Sequence, residues 1–137
     1  AYIGGLLHDI GKIIIKGLHP DTIDKLIKVC EGKKIPSTII EKLLEGTNHP
    51  VIGSKMAEKW QLTDNIIKII RYHHNPLSSP EEVKKVLEII YLAHIIVDEI
   101  FKTGVNLEFK DDILALYNLN TADKYKELTL YVKNKIK

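Results

Sequence analysis

One cysteine, one methionine and one tryptophan are spread over 137 residues. A lone Cys30 cannot close an internal disulfide, so packing has to hold the fold; it reads as a small buried apolar group and is compatible with a reducing cytoplasm, where we expect the protein. The sequence has no CxxC pair, no zinc-finger spacing, no glycine-rich phosphate loop and no sustained strand alternation, which argues against a strand-based fold and a nucleotide-cradling loop. No apolar run approaches the ~20 residues of a membrane span, and no signal-peptide pattern opens the chain, so no membrane partner is expected. The formal charge is +2 and the lysines are dispersed, so there is no electrostatic case for binding a nucleic-acid duplex.

What is present is helical periodicity. At this length one domain, residues 1–137, can bury a core, and the fold class expected is all-α. Residues 1–16 read as a single helix, apolar nearly all round through Ile3, Leu6, Leu7, Ile10, Ile13 and Ile14, and hence central. Gly4 and Gly5 would let a neighbour approach closely, and Gly17-Leu18-His19-Pro20 ends the segment, with His19 an exposed loop residue. Amphipathic packing helices are expected over 21–32, capped by Asp21, and over 36–46, with Ile39, Ile40, Leu43 and Leu44 on one side. Asn48 or His49 starts the next helix, with Pro50 near its first position and Ile52, Met56 and Trp60 in the core. Thr63 caps a helix whose Ile66, Ile67, Ile69 and Ile70 are core and whose end is Arg71-Tyr72-His73-His74-Asn75-Pro76. Ser79 and Glu82 suggest a capping box that launches the longest helix, to about Thr103, with Val83, Leu87, Ile90, His94 and Val97 as its stripe. Helices at 110–116 and 121–135 complete the chain, the last with Tyr125, Leu128, Val132 and Ile136 inward.

Nothing about building a core asks for an imidazole and a carboxylate side by side, yet Leu6-Leu7-His8-Asp9-Ile10-Gly11-Lys12 has both among apolar neighbours. On a helix Lys12 shares a face with His8 and Asp9. Neutral imidazole and carboxylate suit a divalent transition metal, and an ammonium beside them suits phosphate or a metal-bound water. Of the 6 histidines, His8, His49, His73, His74 and His94 fall in polar interruptions or unusual places. Each also has an ordinary reading. His73 and His74 can complement a helix C-terminus, and His94 can be a hydrogen-bonded core residue, with Asp98 one turn on to orient it. A metal held here would draw its ligands from several helices.

In order and spacing, the run from Leu6 to Lys12, Gly46-Thr47-Asn48-His49-Pro50-Val51-Ile52-Gly53, Trp60-Gln61-Leu62 and Ile70-Arg71-Tyr72-His73-His74-Asn75-Pro76 resemble the blocks of the HD superfamily of metal-dependent phosphohydrolases. The closer likeness is to its HDOD branch, the output domain of bacterial signalling proteins. The resemblance implies an HD-type helical bundle in which His8 and Asp9 are metal ligands, Asp9 bridging two ions, and Lys12 binds phosphate or a bridging water. It implies further ligands at His49, His73 and His74. The family's closing Asp follows a hydrophobic-Leu-Ala pattern; after Tyr91-Leu92-Ala93 this chain has His94, with Asp98 offset by a turn. The family's first His precedes the HD pair and is not in this chain, which opens without Met and reads as a fragment lacking one or more N-terminal helices. The HHE…GYP signature is absent, so cyclic di-GMP cleavage is not expected.

Two functions follow as expectations. One is an HDOD-like signalling domain that acts through a protein partner while retaining a site for one or two ions of Fe, Mn, Zn or Ni. The other is a phosphohydrolase acting on a phosphorylated small molecule or nucleotide, with Asp9 and Lys12 as its catalytic residues and His8, Asp9, His49, His73, His74 and His94 as its metal ligands.

Overall fold

Helices account for all the regular structure among the residues that the computed structural model describes, 2–18, 39, 41–42, 46–101 and 107–136. In chain order these are α1 (Tyr2–Leu7), α2 (Ile10–Leu18), α3 (His49–Lys59), α4 (Asp64–Tyr72), a 3-10 turn (Pro76–Ser78), α5 (Glu81–Phe101), α6 (Lys110–Leu116) and α7 (Ala122–Lys135). The all-α expectation holds. Of the helices expected over 21–32 and 36–46, positions 39, 41 and 42 are helical and Gly46 lies in a bend; the rest of both segments, with Cys30 and His19, lies outside the described residues, as do Thr103 and Gly104.

The single helix expected over 1–16 is two, broken at the His-Asp pair. His8 Nδ1–H donates to the Gly5 carbonyl at 2.6 Å, occupying the acceptor that a continuing α-helix would offer to the Asp9 N–H, so the backbone turns and restarts with a tighter Lys12 N–H to Asp9 C=O bond of 2.9 Å. Nor is the segment central: Ile15 is buried, while Ile3, Leu6 and Ile13 are exposed.

Close approach of backbones sets the site's position. A Cβ on Gly11 would fall 2.0 Å from the His49 carbonyl oxygen and one on Gly53 would fall 3.1 Å from the Gly11 nitrogen. Glycine at both places lets α2 lie directly on α3, which brings Asp9 to His49. Gly4 makes room for the Ile69 side chain of α4, whereas Gly5 has open space among the described residues, so only the first of that pair serves close packing. The α3 core face also differs from expectation. The helix buries His49, Pro50, Gly53, Ser54 and Ala57, and Trp60 is left exposed, because the small-residue face permits this contact and the Ile52-Met56-Trp60 face does not.

Helix α5 is the long brace. Val83, Leu87 and Ile90 pack with Ile69 of α4, and Tyr72 and Val86 lie against them. Further along, Tyr91 and Ile95 pack with Ile113 and Leu114 of α6. Val97, expected on this stripe, is exposed because Ile95 and Ile96 take its place. Tyr91 accepts a hydrogen bond from the Phe109 N–H at 3.0 Å, and buried Glu88 accepts from Tyr117 at 3.2 Å and from Lys85 at 3.4 Å. The expected capping box at Ser79 is not how α5 starts: Ser79 donates to the Pro76 carbonyl, and Glu82 pairs with Lys68 of α4. Asn48 does cap α3, accepting from the Val51 N–H at 3.2 Å. Thr63 and Thr121 stand at the N-cap positions of α4 and α7 without a side-chain cap bond.

Candidate metal centre

Four elements deliver the candidate side chains to one place: the α1–α2 break brings His8 and Asp9, the start of α3 His49, the end of α4 His73 and His74, and the middle of α5 His94. Asp9, His49, His73 and His74 each offer one ligand atom, and these atoms lie within 4.8 Å of one another. His73 is the hub, with ring centroids of His74, His8 and His49 at 4.3, 5.0 and 5.1 Å. His8 and His94 join from the side, Nε2 to Nε2 at 2.8 Å. Asp98 is not among the four. Lys12 donates to Asp9 Oδ2 at 2.8 Å.

The tautomers follow from the partners of the other ring nitrogens. His49 Nδ1 lies 2.7 and 2.9 Å from the two oxygens of Glu41, His73 Nδ1 lies 2.8 Å from the Ile70 carbonyl, and His8 Nδ1 is on the Gly5 carbonyl. Each of these oxygens is an acceptor, so each Nδ1 carries the proton and each Nε2 presents a lone pair to the centre. His73 and His49 are completely buried.

At the centre these lone pairs meet an anion. Asp9 Oδ1 is buried and has no hydrogen-bond partner among the described residues. Its nearest nitrogens are Nε2 of His49 at 3.2 Å and of His73 at 3.4 Å, both already assigned lone pairs. His49 Nε2 lies a further 3.1 Å from His73 Nε2 and 3.0 Å from His74 Nε2. A proton can bridge one such pair; one cation can serve all of them. Bonds of about 2.0–2.1 Å to a tetrahedral ion put ligand atoms about 3.3 Å apart, close to the four separations of 3.0–3.4 Å just given, and the whole group of four lies within 4.8 Å. The residues therefore fit a divalent metal.

The electrostatics favour ligands ready to coordinate. Burial pushes the His74 imidazole down to about 2, helped by His73 and His49, and pushes His94 down to about 4, helped by His8. Burial also lowers His73, against the pull of Asp9. His8 is the exception: burial lowers it, but Asp9 outweighs that and its net shift is upward. Burial would raise the Asp9 carboxyl, yet its net shift is downward: Nε2 protons on His49, His73 and His8 and the Lys12 ammonium lower it, and where those Nε2 atoms hold lone pairs the Lys12 ammonium remains to do so. Glu41 is likewise held low, with His49 overcoming the burial that would raise it.

Glu41 is the site residue that sequence reasoning missed. It is 6% exposed and its Oε2 also accepts from the His49 backbone N–H at 2.7 Å. The available signal was a carboxylate one residue after Ile40 and three before Leu44, at the border of an apolar stripe whose other charges read as solvated.

Comparison with known proteins places this geometry in a family context. The HDOD domain profile matches residues 1–76, a span that holds His8, Asp9, Lys12, Glu41, His49, His73 and His74 but not His94. The chain is 30% identical over 95 residues to a protein of Treponema pallidum (strain Nichols) named only "Uncharacterized protein", a match covering 69% of this chain and 18% of that one. It thus spans less than a fifth of that relative's length. No solved structure matches the chain.

Proposed function

The chain belongs to the HDOD domain family, and on that footing we propose that it is a regulatory domain that holds a divalent transition metal and passes a signal to a protein partner in a reducing cytoplasm. The observation that carries the metal is the orphaned Asp9 Oδ1, facing Nε2 lone pairs of two buried histidines. Asp9, His49, His73 and His74 would hold one ion, and His8 and His94, beside Asp9 Oδ2, offer donors for a second. A donor set with one carboxylate and up to five imidazoles suits Zn, Fe or Ni better than Mn, which prefers oxygen ligands. When bound, such an ion supplies concentrated positive charge that attracts oxyanions and acidifies water. We read residues 1–137 as one domain, since α5 packs against α4, α6 and α7 alike.

A regulatory role is supported by where the carboxylates are committed. With Asp9 Oδ1 given to the ion, Asp9 Oδ2 held by Lys12 and 3.3 Å from His8, and Glu41 held by His49, neither carboxylate is left to take a proton from an attacking water. The alternative, a phosphohydrolase acting on a phosphorylated small molecule or nucleotide, is favoured by Lys12. Its side chain is 42% exposed and offers a solvent-facing ammonium beside the cluster, with Asp9 as the other catalytic residue.

Elemental analysis of chain purified without chelator tests the reading. At least one transition-metal ion per chain is expected, with no phosphate released from phosphomonoesters or phosphodiesters. A metal-free chain would overturn the metal site, and turnover abolished by Asp9→Ala would favour the hydrolase.

A further inference from the structure

Three histidines of the cluster share one device and differ in its strength. His8 and His73 donate their Nδ1–H hydrogen bonds to neutral backbone carbonyls, of Gly5 and Ile70. His49 donates its Nδ1–H hydrogen bond to a buried carboxylate, with Glu41 oxygens at 2.7 and 2.9 Å. The same carboxylate is anchored by the His49 backbone N–H at 2.7 Å, so it grips both ends of the residue and fixes the ring's direction. A negative charge on the far nitrogen pushes electron density toward Nε2 and makes that imidazole the stronger donor; a carbonyl dipole does this less.

We propose that Glu41 is the positioning residue of the centre: its charge, and not only its hydrogen bonds, makes His49 the strongest imidazole donor and sets the affinity for the ion held with Asp9, His73 and His74. This rests on reading the cluster as a metal site. Glu41 itself stays out of the coordination sphere, because both of its oxygens are occupied by His49. It also compensates for the scarcity of carboxylates at the centre, where Asp9 alone contributes formal negative charge to the four-residue group.

Glutamine at position 41 keeps an oxygen that can accept from Nδ1–H and from the backbone N–H but removes the charge; alanine removes both. The experiment titrates Zn²⁺ into the chelator-treated chain by calorimetry, for the parent, Glu41→Gln, Glu41→Ala and Glu88→Gln, with nitrogen-15 NMR of the His49 ring in the metal-free state. Glu88→Gln is the control, a buried carboxylate on α5 bonded to Tyr117 and Lys85. Glu41→Gln is expected to keep the Nδ1–H tautomer yet bind Zn²⁺ about 10-fold more weakly, and Glu41→Ala to lose the fixed tautomer and bind about 100-fold more weakly. Glu88→Gln is expected to match the parent. Equal affinity in Glu41→Gln and the parent would overturn the proposal while leaving the metal site standing, even if melting temperatures differ. Equal losses in Glu88→Gln and Glu41→Gln would also overturn it, since any buried charge would then serve. A parent that takes up no Zn²⁺ would overturn the metal reading and this inference together.

Discussion

His49 and His73 face each other through Nε2 atoms 3.1 Å apart, although each ring already donates its Nδ1–H to an oxygen. Two lone pairs held at that distance repel, and the buried Asp9 Oδ1 beside them has nothing among the described residues to accept from. An arrangement of this kind is costly unless a positive charge fills it.

The first prediction follows directly. Excess Zn²⁺ should raise the melting temperature of the parent relative to chelator, by the equivalent of about 2.7 kcal/mol at 100 times the dissociation constant, because the ion binds only the folded chain. Asp9→Ala should show no such rise and should purify without metal. Thermal unfolding with and without Zn²⁺ measures both, and an equal Zn²⁺ response in the variant would mean that Asp9 is not a ligand.

The second concerns the approach of α2 to α3. Gly11→Ala would place a methyl 2.0 Å from the His49 carbonyl oxygen, a backbone atom that cannot rotate away, so the helices must separate. We expect a loss of about 3 kcal/mol or more and weakened metal uptake, since His49 moves with α3. Gly5→Ala is the contrast: nothing among the described residues lies within 4 Å of its Cβ position, and in a helix the change should add about 0.5–1 kcal/mol. Denaturant midpoints compare the two, and similar behaviour in both would refute the packing argument.

How far the chain could be read without its structure is shown by the same residues. The HD pair, His49, His73 and His74 announced themselves because polar groups interrupt apolar helices, and the structure gathers all of them. The α1–α2 break was not legible, because it depends on the His8 side chain capturing a carbonyl, and a periodicity argument follows the apolar pattern straight through it. The α3 face was misread for a related reason: Ile52, Met56 and Trp60 are the larger apolar residues, but Gly53 is the one that lets backbones touch, with Ala57 buried one turn on. Glu41 stayed hidden because a carboxylate near lysines reads as surface until its partner, eight residues on, is folded against it.

A third prediction tests the α5 brace. The Tyr91 hydroxyl is the acceptor for the Phe109 N–H at 3.0 Å, in a ring that is 2% exposed. Tyr91→Phe keeps the packing but strands that N–H, so stability should fall by about 1–3 kcal/mol with metal affinity unchanged. Chemical denaturation beside a Zn²⁺ titration separates the two effects; a change in affinity would show that the brace and the centre are coupled.

Lys12 separates metal holding from anion binding. Its ammonium sits 2.8 Å from Asp9 Oδ2, and at 42% and 34% side-chain exposure such a pair contributes at most about 1 kcal/mol. Lys12→Ala should therefore leave zinc content and melting nearly unaltered. What it should lose is the point charge available to an incoming phosphate oxygen, so orthophosphate should bind the zinc-loaded variant about 10-fold more weakly, a difference of about 1.4 kcal/mol. Calorimetric titration of orthophosphate into the zinc-loaded parent and variant measures this. If the variant instead loses its zinc, Lys12 acts by holding Asp9 in place, and the ammonium belongs to the support of the centre and not to its anion site. Equal phosphate affinity with zinc retained would remove Lys12 from both roles and leave the hydrolase reading without its strongest residue.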